Sequence, residues 1–278
     1  MKALPNLAEV QLAGAIRGLG QSGFERALWG LFRAAVAPDN LLILAYGTAD
    51  TPQVFYLCSD HPQVFAELGR TYLAGAYRLD PFYDLHLRRV PAGVYRLRDI
   101  APDAFQRSRY FIEYYEQTTL MDEVTFVISP VTGVTINLCI GRDASSGRVF
   151  SVAEIAICQR LAPMVAALAE RHWADLARAT GPTEDTAALL ASAARRGLGI
   201  HLSPRQSEVA LLILRGHSTV SIGLRLGLSA QTVKVFRKQL YARCHISSQA
   251  ELFALMLPLL KTNPAPAPPP KPAQTTID

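Results

Sequence analysis

Apolar positions recur at helical spacing along the first 36 residues. Leu7, Val10, Leu12 and Ile16 form one loose stripe; Phe24, Leu28, Leu31 and Phe32 form a second, behind Ser22, a residue able to cap a helix start. The period then shortens. Asn40–Tyr46 and residues 53–58 are apolar runs of strand length separated by Gly47-Thr48-Ala49-Asp50-Thr51-Pro52, which predicts a hairpin. A helical pattern is predicted over 62–74 and again after Asp80-Pro81. Residues 94–97, 123–129 and 134–140 are predicted strands, the last two joined by a turn at Pro130 and Gly133. Ser151-Val-Ala-Glu154 is a capping box, with Phe150 and Ile155 placed to staple it. The helix it starts is predicted to reach about Trp173 and to bend at Pro163, whose ring removes one backbone bond. Two helices, a mostly antiparallel sheet with helical insertions, and a long closing helix predict an α/β/α sandwich.

The pattern after residue 180 is helical throughout. Thr180 to Asp185 combines breakers with acidity and reads as a linker, followed by a short Ala-rich helix at 187–196. Ser203-Pro204-Arg205-Gln206 supplies a cap, a proline at the first helical position and a capping Gln; Val209, Leu212 and Ile213 continue that helix and Gly216 ends it. A short helix from about Thr219 to Leu226 buries Ile222 and Leu226. Gly227-Leu228-Ser229 then turns the chain, and Ser229 caps the next helix, which makes a helix-turn-helix. Laid out at about 100° per residue, Val233, Phe236, Leu240 and Cys244 share one sector facing the core. Gln231, Lys234, Val235 and Lys238 fall opposite. Such a face suits the major groove of double-stranded DNA: Lys for guanine acceptors or phosphates, Gln for adenine, Val for a thymine methyl. Thr232, Arg237 and Arg243 sit at the flanks, where phosphates would be met. A fourth helix opens on a second box, Ser248-Gln-Ala-Glu251. Its Leu252, Phe253, Leu255, Met256 and Leu259 offer more apolar surface than one packing face needs, for a dimer contact or for the small domain's own core.

Charge sharpens this division. The 278 residues carry a net +5, but residues 195–261 hold ten Lys/Arg against two acids, Glu208 and Glu251, a net of +8. The remainder is then −3, so the C-terminal quarter is a polyanion-binding module joined to a nearly neutral partner. Lysine occurs only at positions 2, 234, 238, 261 and 271. A P-loop or a Schiff-base lysine is therefore excluded from residues 3–233. Residues 262–278 contain six of the 18 prolines and almost nothing apolar, which predicts a solvated, disordered tail.

Catalytic and metal chemistry find no purchase. The six histidines show no HxxxH spacing, no GxSxG occurs, and the four cysteines at 58, 139, 158 and 244 form no CxxC pair. Asp80/Asp84 and Glu113/Glu116 stand at helical spacing and read as solvated faces. The clean apolar runs are short of the roughly 18–20 residues of a membrane span, and Met1-Lys2-Ala3-Leu4-Pro5 does not open a secretory signal. The expectation is a cytoplasmic protein without catalytic residues, metal, cofactor or membrane association.

Residues 202–252 carry an ordered set of motifs: Leu202-Ser-Pro-Arg-Gln-Ser-Glu208-Val209, Gly216-His-Ser218, Ile222-Gly, Leu226-Gly-Leu-Ser229, Thr232-Val-Lys-Val235, Arg237 and Ala250-Glu-Leu. This set resembles the LuxR-type (LuxR/FixJ) DNA-binding domain. The resemblance implies a four-helix module that binds DNA as a dimer, with Lys234, Val235 and Lys238 at base-reading positions. The chain departs from it at Ser221, Phe236 and Ala242-Arg243-Cys244. The family joins this module to several sensors. A phosphoacceptor receiver is excluded by the missing lysine and the opening pair of helices. Tyr72, Tyr77, Asp80-Pro81 and Tyr95 are similar to the pocket segment of the autoinducer-binding domain, and the element order also fits related GAF/PAS-like sensors. That likeness implies an apolar ligand pocket in which Asp80 accepts a ligand N–H. The tryptophans usual there are missing, since Trp29 and Trp173 lie outside the segment and Tyr95 stands where one would fall. Read from the residues alone, the aromatics are equally a core and Asp80 a cap for the helix begun by Pro81.

The expected protein is α+β: a sensor or dimerisation domain over 1–178, a linker over 179–197, a helix-turn-helix domain over 198–261 and the tail 262–278. The expected function is that of a dimeric transcriptional regulator gated by a small apolar ligand, an acyl-homoserine lactone or another. Two alternatives stay open: a ligand-independent regulator whose first domain only dimerises or binds a protein, and an enzymatic domain fused to a DNA reader.

Overall fold

In the computed structural model, residues 6–178 and 185–261 are described. Residues 179–184 of the expected linker and the proline-rich 262–278 lie outside the described residues. Helices α1 (Asn6–Arg17) and α2 (Phe24–Val36) lead into a five-stranded antiparallel sheet of β1 (Asn40–Tyr46), β2 (Gln53–Ser59), β3 (Gly93–Arg96), β4 (Leu120–Ile128) and β5 (Thr135–Asp143), in the order β2-β1-β5-β4-β3. Strand alternation divides the labour of its two faces. Leu41, Ile43 and Ala45 of β1 join Ile136, Leu138 and Ile140 of β5 and Val124 and Phe126 of β4 under α2 and α6 (Val152–His172). Leu42, Leu44 and Tyr46, with Glu123, Thr125, Asn137 and Cys139, turn to the other face. There short α3 (Pro81–Leu87), α4 (Leu97–Ile100) and α5 (Arg109–Glu113) and several single turns cover the sheet. The result is the expected α/β/α sandwich, and with the helical C-terminal part an α+β chain.

The helix expected at 62–74 is not continuous. Residues Pro62–Phe65 and Ala76–Leu79 form single tight 3-10 turns, and Leu68–Tyr72 between them forms a wide π-helical turn. Leu68, Tyr72, Leu73, Ala76, Tyr77 and Leu79 are all buried, and burial on every side overrides the one-faced demand of a surface helix. Glycine 75 completes the break: its φ of 153° fits a residue without Cβ, and its backbone presses on that of Leu260.

Helix α6 starts at the predicted capping box, Ser151 with Glu154, and runs unbroken through Pro163. It is 21 residues long and apolar enough by length and composition to cross a membrane; in the fold it buries Cys158, Leu161, Val165, Leu168 and Ala169 on the sheet. Beyond the undescribed residues, Asp185 caps α7 (Thr186–Leu198) by accepting from the Ala187 and Ala188 N–H groups. Then come α8 (Pro204–Leu214), α9 (Thr219–Leu226), α10 (Ala230–Cys244) and α11 (Gln249–Leu260). Ser203, Ser218, Ser229 and Ser248 each cap the helix that follows. The apolar surplus of α11 is largely spent inside the chain: Leu252, Phe253, Met256 and Leu260 are buried with Leu190 of α7 and Val209 of α8.

Candidate nucleic-acid interface and ligand cavity

On α10, Val233, Leu240 and Cys244 are buried and Phe236 is half-buried against the same core. The opposite face is open. Gln231, Lys234 and Lys238 are exposed and Val235 is 46% exposed, a row of two cations, one amide and one aliphatic side chain along successive turns. The flanking residues divide differently. The Thr232 hydroxyl lies 2.8 Å from that of Ser229 at the cap. Arg237 donates to the Tyr241 hydroxyl at 3.1 Å and covers its ring. Arg243 is exposed but reaches back to the His201 carbonyl (2.7 Å) and the Gln206 side chain (3.0 Å), tying α10 to the start of α8. Lys234, Val235, Lys238 and Gln231 thus present a free face, whereas Arg237 and Arg243 already have partners within the domain.

A second site lies on the outer face of the sheet. Around Asp80 is a cavity of about 60 Å³ lined by Leu42, Leu44, Tyr46, Tyr72, Tyr114, Tyr115, Glu123 and Cys139, among others. Asp80 is buried, 4% exposed. Its Oδ1 accepts the Phe82 N–H at 2.7 Å, as a cap for α3, and its Oδ2 meets the Tyr110 and Tyr115 hydroxyls at 3.5 Å. Burial pushes its carboxyl up to about 6, against the Phe82 N–H and the hydroxyls of Tyr72, Tyr115 and Tyr110, which favour the charged form. Glu123 is pushed further, to about 8, by burial and then by the nearby Asp80 charge. The Tyr46 and Tyr72 hydroxyls lie 2.6 Å apart and close one wall.

The sequence-derived ligand residues are only partly gathered here. Tyr72 and Asp80 line the cavity. Tyr77 lies on a larger neighbouring hollow of about 560 Å³, which shares Tyr46 and is bounded by Tyr83, His86 and Arg89; its hydroxyl donates to the Asp50 carbonyl. Tyr95 stands on β3, half-buried, and donates to the Pro91 carbonyl at 2.8 Å. Residues not singled out from sequence, Glu123, Tyr114 and Tyr115, complete the cavity. Glu123 is half-buried on the face it shares with Thr125 and Val127, and its place in the cavity follows only once β4 lies between β5 and β3.

Asp80 and Asp84 are not the solvated face that their spacing suggested. Asp84 is bridged at 2.8 Å by Arg215, which follows α8 and is itself buried, and Arg215 also donates twice to the Arg78 carbonyl at 3.1 and 3.2 Å. Arg78 in turn donates to the Leu260 carbonyl at the end of α11. Nearby, the Ser218 N–H meets Asp103 and the Ala104 N–H meets the Gly216 carbonyl. The helix-turn-helix therefore docks on the segment that carries Asp80, and the aromatic cluster around the cavity merges with the C-terminal core.

Comparison with known proteins places this arrangement. The profile of the bacterial regulatory proteins of the luxR family matches residues 201–256. An HTH-type transcriptional regulator of the exeN 3′ region in Aeromonas salmonicida is 32% identical over 193 residues, covering 66% of this chain and 96% of its own length. Among solved structures, the LBD domain of VqsR from Pseudomonas aeruginosa matches at TM-score 0.50 and 24% identity, over 60% of this chain and 97% of its own, a likeness of fold. SdiA from Escherichia coli matches at TM-score 0.42 and 14% identity, over 91% of this chain and 96% of its own.

Proposed function

The chain belongs to the luxR family of bacterial regulatory proteins and is a transcriptional regulator, and from that premise we propose that it binds operator DNA as a homodimer through α10, under the control of a small molecule held by its first domain. The observation that carries the DNA reading is the bare Gln231, Lys234, Val235 and Lys238 face of a helix whose other side is locked into the core. Gln231, Lys234, Val235 and Lys238 read bases. Thr232, Arg237 and Arg243 support the helix at the backbone, the two arginines through rearrangement of their present side-chain bonds. Two copies would present two such helices to half-sites about one turn of DNA, ~34 Å, apart. The domain division we adopt is a sensor over 1–178, a linker over 179–197 and a DNA reader over 198–261.

Gating is supported by the docking. Asp80 and Asp84 stand four residues apart at the start of α3, one in the cavity and the other bonded to Arg215 of the DNA reader. A ligand that moves Asp80 moves the Asp84 anchor, which gives it differential contact with two domain arrangements. The assigned roles involve no catalysis, and a regulator of this kind acts on the chromosome in the cytoplasm. Fluorescence anisotropy on DNA selected from random duplexes tests the reading: the full chain enriches one sequence, and Lys234→Ala with Lys238→Ala loses that preference. Equal enrichment by the variant would refute the assignment of α10.

A further inference from the structure

The Asp80 cavity holds two carboxyl groups and, among the described residues that line it, no Lys, Arg or His. Buried acids ordinarily come with a cationic partner or with strong donors. Here Asp80 Oδ1 has the Phe82 N–H at 2.7 Å, but its Oδ2 has only the Tyr110 and Tyr115 hydroxyls at 3.5 Å, the outer limit of a hydrogen bond, and Glu123 has only the neutral Cys139 and Thr125 side chains. The walls are tyrosine rings: Tyr72 stacks on Tyr114 with centroids 5.6 Å apart, and Tyr114 meets Tyr115 edge-on at 5.5 Å. Ring faces attract a cation and do nothing for an anion. The rest of the lining is apolar, with Leu42, Leu44, Val64, Phe65, Leu68 and Leu120, and offers the two acids no counter-charge. Metal binding does not account for the acids, because no three His, Cys, Asp or Glu side chains gather among the described residues.

We propose that this cavity takes a small primary amine, held as its ammonium ion between the Asp80 and Glu123 carboxyl groups inside the tyrosine cluster. The proposal rests on reading the first domain as a small-molecule sensor and names the chemistry of its ligand. Three N–H donors match the acceptors present: Asp80 Oδ2, a Glu123 oxygen and a tyrosine hydroxyl. One positive charge balances Asp80, while Glu123 keeps or yields its proton as the amine settles. The cavity of about 60 Å³ sets the size, since it admits a head group and short stem but not a long acyl chain. Anything larger on the amine extends past Tyr46, the wall shared with the neighbouring hollow.

Calorimetric titration of the full chain with n-butylamine, 1-butanol and N-butanoyl-homoserine lactone tests this, with thermal melts as a second readout. The expected result is binding of butylamine at least tenfold tighter than of butanol and of the lactone. Glu123→Gln, a near-isosteric change that removes a buried acid and should melt no lower than the parent, should weaken the amine at least tenfold. Amine affinity unchanged in that variant, or butanol binding as tightly as the amine, overturns the proposal. Tight lactone binding that is lost in Asp80→Asn also overturns it but leaves the sensor reading standing. If none of the three probes binds, the amine proposal is refuted; if melting and DNA affinity are also unmoved by cell extracts of small molecules, the sensor reading falls with it.

Discussion

At the scale of single residues, burial and charge decide more than identity does. Glu123 sits at about 8 in the folded chain against an ordinary value of 4.5. A raised carboxyl value means that the folded chain holds the proton more tightly than the unfolded one. Its contribution is therefore fullest below the unfolded value and is lost as pH rises through the folded value. Glu123→Gln carries no such proton, so its melting temperature relative to the parent should climb between about pH 5 and about pH 8. A gap that stays constant over that range would contradict the burial. On the proposed reading Lys234→Ala and Lys238→Ala each remove a base or phosphate contact, and each should weaken specific DNA binding by roughly 1–3 kcal/mol, measured by anisotropy. The lysines were legible in the sequence because a helical wheel places them opposite Val233 and Leu240. Glu123 was not, because one acid in a strand has no pattern until its neighbours are known. Tyr114 and Tyr115 were visible only as part of an aromatic-rich stretch, with nothing in their spacing to choose which rings meet Asp80.

At the scale of elements, caps and periods were the reliable signals. Ser151 and Ser203 form capping boxes, Ser248 caps its helix while Glu251 takes the Ser247 N–H, and the five strands fall close to their apolar runs; Ser22 does not cap α2, whose N-cap is Gly23. The failure at residues 62–74 has a physical cause: apolar residues on every side satisfy a helical period without requiring a helix. The interface between α8 and α3 was also illegible, since no periodicity encodes which loop receives a buried arginine. The Arg215 side chain is 8% exposed and Asp84 17%. Without Arg215, Asp84 still has Arg225 at 3.6 Å and Arg88 at 3.7 Å, so Arg215→Ala should destabilise the chain by about 2 kcal/mol in urea unfolding, through lost packing and the lost Arg78 contacts. Asp84→Ala should cost more, about 3 kcal/mol, because it leaves the buried Arg215 cation with carbonyl partners but no counter-charge. Gly216 was read as a helix terminator; its φ of 90° agrees, and Phe105 adds a second constraint, since a Cβ there would lie 2.9 Å from the Phe105 Cα. Gly216→Ala should therefore cost more than about 1 kcal/mol, and a neutral effect in the same unfolding assay would show that the two domains do not meet there.

At the scale of the whole molecule, the split of net charge into +8 and −3 marks the same C-terminal quarter as the helix-turn-helix pattern. It said nothing of how the two parts meet. The structure joins them through a shared core and through Asp84, Arg215, Arg78 and Leu260, so that the cavity and the reading helix belong to one packed unit. The free face of α10 remains accessible in that unit, which makes DNA affinity a property of the intact chain. Anisotropy of the full chain on its selected duplex, across a salt series, tests this most directly. The account predicts tight binding that falls steeply as salt rises, and a loss of at least about thirtyfold in the Lys234→Ala, Lys238→Ala double variant at fixed salt, the two lysine contacts combined. Affinity unchanged by the double substitution would contradict it.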